Sequence, residues 1–385
     1  MAYYQNGNFE EALKTAEELI VKDAEVRLSY LVEGDIYLRQ GNLEAAREAY
    51  EKSIKASKGT DVQKADALIG LGRLASLQNQ KNDALLYYEK ASEAAPNNSR
   101  GYLSQAMLVH QQGNAEAALG LLEKARAQNP QNPAIAAFAN DTRRQVQLAQ
   151  DEKKQQRIDQ LVQELLESMD QPPRAEAGDG WTSQPLTLWV MDFKTKGYSI
   201  QEGEDALLLS GITEHLLEDG RVQLVERALL DKLLGELKLG SSELADRRTA
   251  LAVGKLMAAR LIASGTIVYS GPHTQVSLRL FETETGRITA AINATVGSAV
   301  PVSELVSRIT GNLNTKLDEK YPIRGKIVSL DGDTAWINIG TNVGVVEGQT
   351  YKAVNQETIL VVVAVAAEES AVHVAQDTKL PDAGQ

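Results

Sequence analysis

One short pattern recurs at nearly constant spacing through the first third of the chain. G-N-F-E-E-A from Gly7 returns as G-N-L-E-A-A from Gly41 and G-N-A-E-A-A from Gly113, with a degenerate N-Q-K-N-D-A from Asn79. The alanines that close these motifs, Ala12, Ala46, Ala84 and Ala118, lie 34, 38 and 34 residues apart. Such a period means one helical hairpin copied along the chain, each copy burying its apolar face against the next. The extra four residues of the middle interval fall in the polar run S-K-G-T-D, where lengthening a loop costs little. Alanine closes each motif because two helices cross there too closely for a larger side chain. Gly34 and Gly72 give the same clearance on the first helix of a pair. Tyr50, Tyr88 and Leu122, four residues after their alanines, are the bulky second-helix wedges, and Pro96 and Pro130 end second helices.

The pattern resembles the tetratricopeptide family over residues 1–132. That resemblance implies an all-α solenoid whose concave face, lined by first helices, binds peptides or protein partners. The matching positions on that face include Asp35, Arg39, Asp66, Arg73, Arg100, Met107 and His110, which are the expected partner-binding residues. Tyr30, Tyr37, Tyr50, Tyr87 and Tyr88 read as core rather than as a ligand cage.

Residues 133–170 read as one long capping or spacer helix opened by Pro133. Ile158, Leu161, Val162, Leu165 and Leu166 form an apolar stripe at helical spacing. D-Q-P-P-R-A-E-A-G-D-G then breaks every periodicity, so residues 171–184 are expected to be a linker.

Residues 185–320 alternate strand-like and helical patterns and predict an α/β (α+β) domain. L-T-L-W-V-M-D-F and R-V-Q-L-V are its first strands. A helix closed by Asp219-Gly220 lies between them, and the leucine-rich A-L-L-D-K-L-L-G-E-L follows. Ser241 or Ser242 is a candidate cap for the next helix. L-I-A-S-G-T-I, T-Q-V-S-L-R-L-F and R-I-T-A-A-I-N-A-T-V predict three further strands, and Ser303 to Lys320 a closing helix. The succession V-E-R, leucine-rich helix, G-K-L, A-S-G resembles the CsgG-like family, the curli-secretion type related to the TolB amino-terminal fold. The resemblance implies docking within an envelope assembly. Its alternatives are an LpoB-type regulator of a peptidoglycan synthase, or a ring-forming homo-oligomer in secretion. The turn at Ser270-Gly271-Pro272-His273 is too short for the membrane hairpins of a curli pore, so no pore is expected. Glu226 and Arg227 read as an ion pair fixing a strand-to-helix corner, and Asp192 as structural.

Residues 321–380 predict a small antiparallel β-barrel, with an Asp331-Gly332 hairpin between alternating runs. I-N-I-G, G-V and G-Q-T-Y in order resemble the carboxy-terminal domain of FlgT-type proteins.

Composition narrows the function. A net charge of -12 disfavours nucleic acid as a partner. The absence of cysteine removes disulfides, thiol nucleophiles and thiolate metal sites. No apolar run is long enough for a transmembrane helix. His110, His215, His273 and His373 form no H-x-x-x-H pair, and neither a phosphate-binding G-x-x-x-x-G-K-[ST] loop nor a G-x-S-x-G elbow occurs. The expectation is therefore a scaffold with no catalytic residue, cofactor or metal, working with envelope assembly proteins. It is expected to be periplasmic and outer-membrane associated, with a targeting segment lying ahead of Met1.

Overall fold

A computed structural model describes residues 2–168, 181–239, 244, 247–297, 300–354 and 358–375. The linker expected at 171–184 lies mostly outside the described residues, as do the candidate caps Ser241 and Ser242.

The repeated motif explains its own geometry. Gly7, Gly41 and Gly113 take φ of 76°, 78° and 83°, which end one helix, and the following asparagine opens the next. The Asn8, Asn42 and Asn114 side chains accept hydrogen bonds from the backbone N–H groups of Glu11, Ala45 and Ala117. In the degenerate copy Asn79 takes the glycine role at φ 60°.

The resulting helices pair in sequence. They are α1 (Ala2–Gln5), α2 (Phe9–Lys22), α3 (Arg27–Arg39), α4 (Leu43–Lys55), α5 (Asp61–Leu77), α6 (Lys81–Ala94), α7 (Ser99–Gln111) and α8 (Ala115–Gln128). The four motif alanines are buried, and Tyr50, Tyr88 and Leu122 are wholly enclosed. A Cβ on Gly34 would sit 2.5 Å from the Tyr50 ring, and one on Gly72 2.3 Å from the Tyr88 ring. The inserted loop is bound rather than free: buried Arg27 donates to the carbonyls of Ser53, Ala56 and Thr60.

The long helix expected over 133–170 is two helices. α9 (Pro133–Gln150) ends at Asp151, whose carboxylate accepts from the N–H of Lys154 and so starts α10 (Glu152–Ser168). A short acid that can cap favours a helix start over helix continuation. The first of these helices stacks on the repeats and the second crosses to the next domain.

That domain is a six-stranded mixed sheet with helices on both faces. Its strands are β1 (Thr187–Val190), β2 (Lys194–Lys196), β3 (Gln223–Leu224), β4 (Leu261–Ser270), β5 (His273–Glu282) and β6 (Ile288–Gly297). They follow the order β3-β1-β4-β5-β6, with β2 also parallel to β4 beyond the end of β1. The break between β1 and β2 has a local cause. The Phe193 ring lies across Gly265 of β4, where a Cβ would stand 1.7 Å from the ring.

Helices α11 (Glu204–Asp219) and α14 (Val302–Lys320) cover one face through Leu208, Ile212, Leu216, Leu305, Ile309 and Leu313. Helices α10, α12 (Arg227–Glu236) and α13 (Arg247–Leu256) partly cover the other, around Trp189 and Ile262.

The terminal strands form a sheet, and the closed barrel expected of them is not shown among the described residues. β7 (Ile327–Asp331), β8 (Thr334–Ile337), β9 (Thr350–Lys352), β10 (Ile359–Val365) and β11 (Ser370–Val374) run in the order β7-β8-β11-β10-β9, and closure between β7 and β9 is not shown. The Asp331-Gly332 hairpin is present, with Asp331 opposite Thr334 and Gly332 at φ 61°.

Candidate functional site

The first helices of the repeats carry most of the polar residues singled out above, and the structure divides those residues into three groups. Asp35 accepts hydrogen bonds from the Tyr50 hydroxyl at 2.8 Å and the Tyr4 hydroxyl at 3.0 Å. Burial raises its pKa against the pull of those two donors and Arg100. Asp66 pairs with Arg100, one repeat further on, at 2.6 Å. Its pKa is also raised by burial, with Arg100 opposing. His110 meets the Gln145 side-chain oxygen at 3.1 Å and stands edge-on to Phe138 with ring centroids 5.0 Å apart, so it joins α7 to α9.

The third group, Arg39, Arg73 and Met107, contacts the chain itself. The connection between β2 and α11, Gly197 to Gly203, runs across the carboxy-terminal halves of α3, α5 and α7. Tyr198 packs on Gly41, where a Cβ would lie 3.0 Å from its ring, and Ile200 joins the apolar cluster around Leu71 and Leu74. Arg73 donates to the Ser199 carbonyl at 3.2 Å and to the Glu202 carboxylate at 2.9 Å. The second Glu202 oxygen accepts from the Tyr88 hydroxyl at 2.8 Å, and the residue is only 2% exposed. Met107 lies against Gly203, which opens α11 at φ 63°. Leu207 then inserts among Leu103, Met107, Ile135 and Phe138.

Repeat register explains why Glu202 sits there. Asp35 and Arg73 occupy equivalent positions, one residue after Gly34 and Gly72. In one repeat the wedge tyrosine, Tyr50, finds its carboxylate within the array. In the next, arginine replaces that acid, and the Tyr88 hydroxyl takes its carboxylate from residue 202, 114 positions away.

Arg39 is 7% exposed, and its Nε and Nη1 have no hydrogen-bond partner among the described residues. Its charge acts on Glu204, whose pKa burial raises while the Ser199 hydroxyl, Arg39 and Arg73 pull it down. The groove thus pairs Arg73 with Glu202, and the charge of Arg39 acts on Glu204 from nearby. No periodicity pointed to Glu202 or Glu204. The signal available in the sequence was the E-G-E itself, in a polar connection between a strand and a helix.

A second concavity, about 790 Å³, opens on the partly covered sheet face beside Trp189, Phe193, Ser277 and Arg279. At its wall the expected Glu226–Arg227 pair is replaced. Arg227 reaches Asp192 at 2.8 Å and Asp231 at 3.0 Å, while Glu226 stands at the start of α12. The geometry favours these partners because adjacent residues at a helix start point apart, whereas i and i+4 face each other. The described residues hold no group of three or more histidines or acids able to bind a metal, and no helix long and apolar enough to cross a membrane.

Two tetratricopeptide repeat models match the chain, one over residues 25–97 and one over residues 65–133. Residues 25–133 are therefore a tetratricopeptide array. No curated protein matches the sequence. Among solved structures, MamA aligns at 17% identity over 38% of this chain and 84% of its own, with a TM-score of 0.32. YrrB, described as a TPR protein with an unusual peptide-binding site, aligns at 20% over 41% and 78%, TM-score 0.30. The LpoB carboxy-terminal domain from Salmonella enterica aligns at 20% over 36% and 95%, TM-score 0.26. Likenesses at this level carry no functional conclusion.

Proposed function

We propose that the chain is a non-enzymatic assembly factor of the bacterial envelope, periplasmic and outer-membrane associated. Its array would recruit a protein partner to a secretion, surface-polymer or envelope machine. The observation that carries this reading is the tetratricopeptide array at residues 25–133, because such repeats bind protein partners through the surface their first helices line. The envelope setting rests on the V-E-R, G-K-L and A-S-G succession of the central domain.

Capture from envelope extract by the full chain tests it. A specific partner should be retained by the wild type and lost in an Asp66→Arg/Arg100→Glu variant that melts normally. Retention by both, or by neither, overturns the reading. A second reading, a regulator of a peptidoglycan synthase, rests on the same succession. It predicts faster glycan polymerisation by a cognate synthase, and an unchanged rate disposes of it.

A further inference from the structure

The groove of the array is already filled, and its filling has the form of a peptide ligand. Tyr198, Ser199, Ile200, Glu202 and Gly203 contact the repeats in turn, from Gly41 through Arg73 and Tyr88 to Met107. The segment forms no regular secondary structure until α11 begins. It is flanked by Gly197 at φ 81° and Gly203 at φ 63°. The three residues before it, Lys194 to Lys196, are exposed. Side chains supply most of the attachment: an anchoring Tyr198, and a carboxylate read by Arg73 and Tyr88. The Arg39 guanidinium is buried in the same seam with two nitrogens unpartnered among the described residues. The array side of the seam thus offers two guanidiniums to a segment that forms an ion pair with one of them.

We propose that this groove is a receptor for an extended acidic peptide, and that Tyr198–Glu204 is its resident occupant, held in cis. A partner segment bearing two carboxylates spaced like Glu202 and Glu204 enters by displacing it, bringing one carboxylate to Arg73 and Tyr88 and the other to Arg39. The proposal rests on the reading of the array as a partner-binding module, and it names the chemistry of what is bound.

The seam joins the Arg73–Glu202 ion pair to apolar contacts of Tyr198, Ile200 and Leu207, and interfaces between domains of one chain resemble transient protein–protein interfaces. The resident segment also competes as a tethered ligand. A short tether gives an effective concentration on the order of 1 mM. A free peptide that binds the open groove at about 10 μM is therefore weakened roughly 100-fold in the closed protein.

The test uses the full chain and a fluorescent peptide G-Y-S-I-Q-E-G-E-D, the sequence of residues 197–205, read by anisotropy. Glu202→Lys sets a cation against Arg73 and releases the segment without changing the groove, and Glu202→Gln is a gentler release that keeps the side-chain shape. Both should bind the peptide at least tenfold more tightly than the wild type. Adding Arg73→Glu to the Glu202→Lys variant rebuilds the pair with reversed polarity and should abolish binding.

A reversible lock guards against misfolding. The chain has no cysteine, and Met107→Cys with Gly203→Cys, placed on the Glu202→Lys background, joins groove and segment only when oxidised. Oxidation should remove peptide binding, and reduction of the same sample should restore it. Equal affinity in oxidised and reduced samples overturns the proposal, as does no tightening in either released variant. Failure here leaves partner capture by the array untouched. Failure of partner capture with peptide binding intact removes only the scaffold reading.

Discussion

A single position can decide whether two helices fit. Gly72 faces the Tyr88 ring so closely that a Cβ would stand 2.3 Å away. Gly72→Ala should therefore destabilise the array by about 1–3 kcal/mol through overpacking, reversing the usual gain of alanine over glycine in a helix. Urea unfolding followed by circular dichroism checks the sign. Glu202 is the costliest charge in the seam. Glu202→Ala leaves Arg73 and the Tyr88 hydroxyl buried without their carboxylate and should cost about 3–5 kcal/mol, measured by hydrogen exchange across the joint. Glu204 sets a pH dependence. Its pKa is raised on folding from 4.5, so its contribution to stability is full below that value and is lost as pH rises through the folded pKa. The melting temperature of the wild type relative to Glu204→Gln should therefore be most favourable in mild acid and should fall towards neutrality. A difference that grows with pH would contradict burial as the cause.

The elements show where local signals are complete and where they are not. Each Gly-Asn pair closes one helix and caps the next, so the hairpins could be placed without tertiary information. The alanine, glycine and tyrosine positions were legible for the same reason, since every repeat meets the same neighbour. Helix α9 was legible at its start, through Pro133, but not at its end, because Asp151 caps or continues a helix depending on what lies beyond it. The connection from Gly197 to Gly203 looked like an ordinary loop, and its role comes from the array beneath it. Arg73→Asp tests that role. It restores within the repeat the acid that Asp35 supplies to Tyr50, and it repels Glu202. The array should keep its fold while trypsin cleaves after Lys194 and Lys196 faster than in the wild type.

At the scale of the molecule, three units are joined by charged side chains. The array meets the α/β domain through Arg73 and Glu202, and through Glu214, which receives Asn140 at 3.0 Å and Arg144 at 2.8 Å. The terminal sheet meets it through Arg221, 8% exposed, which donates to the Tyr321 and Val343 carbonyls and pairs with Asp318 at 3.3 Å. Arg221→Ala should loosen that sheet at a cost of about 2 kcal/mol. Small-angle scattering would show the particle expanding with the array's helicity unchanged.

The sequence by itself determined the repeat array, its period and its wedge positions, because each hairpin packs against a copy of its own neighbour. It also indicated the order of strands and helices in the central domain, since period and turn residues are local. Only the tertiary structure decided that Asp35, Asp66 and Arg100 are satisfied within the array, and that Arg39, Arg73 and Met107 face a segment of the same chain. It likewise decided the order in which the terminal strands pair, β7-β8-β11-β10-β9. The Arg73 and Tyr88 contacts with that segment join residues 114 to 129 positions apart. Pairing at that range is set by the domains' mutual fit, which no local pattern encodes.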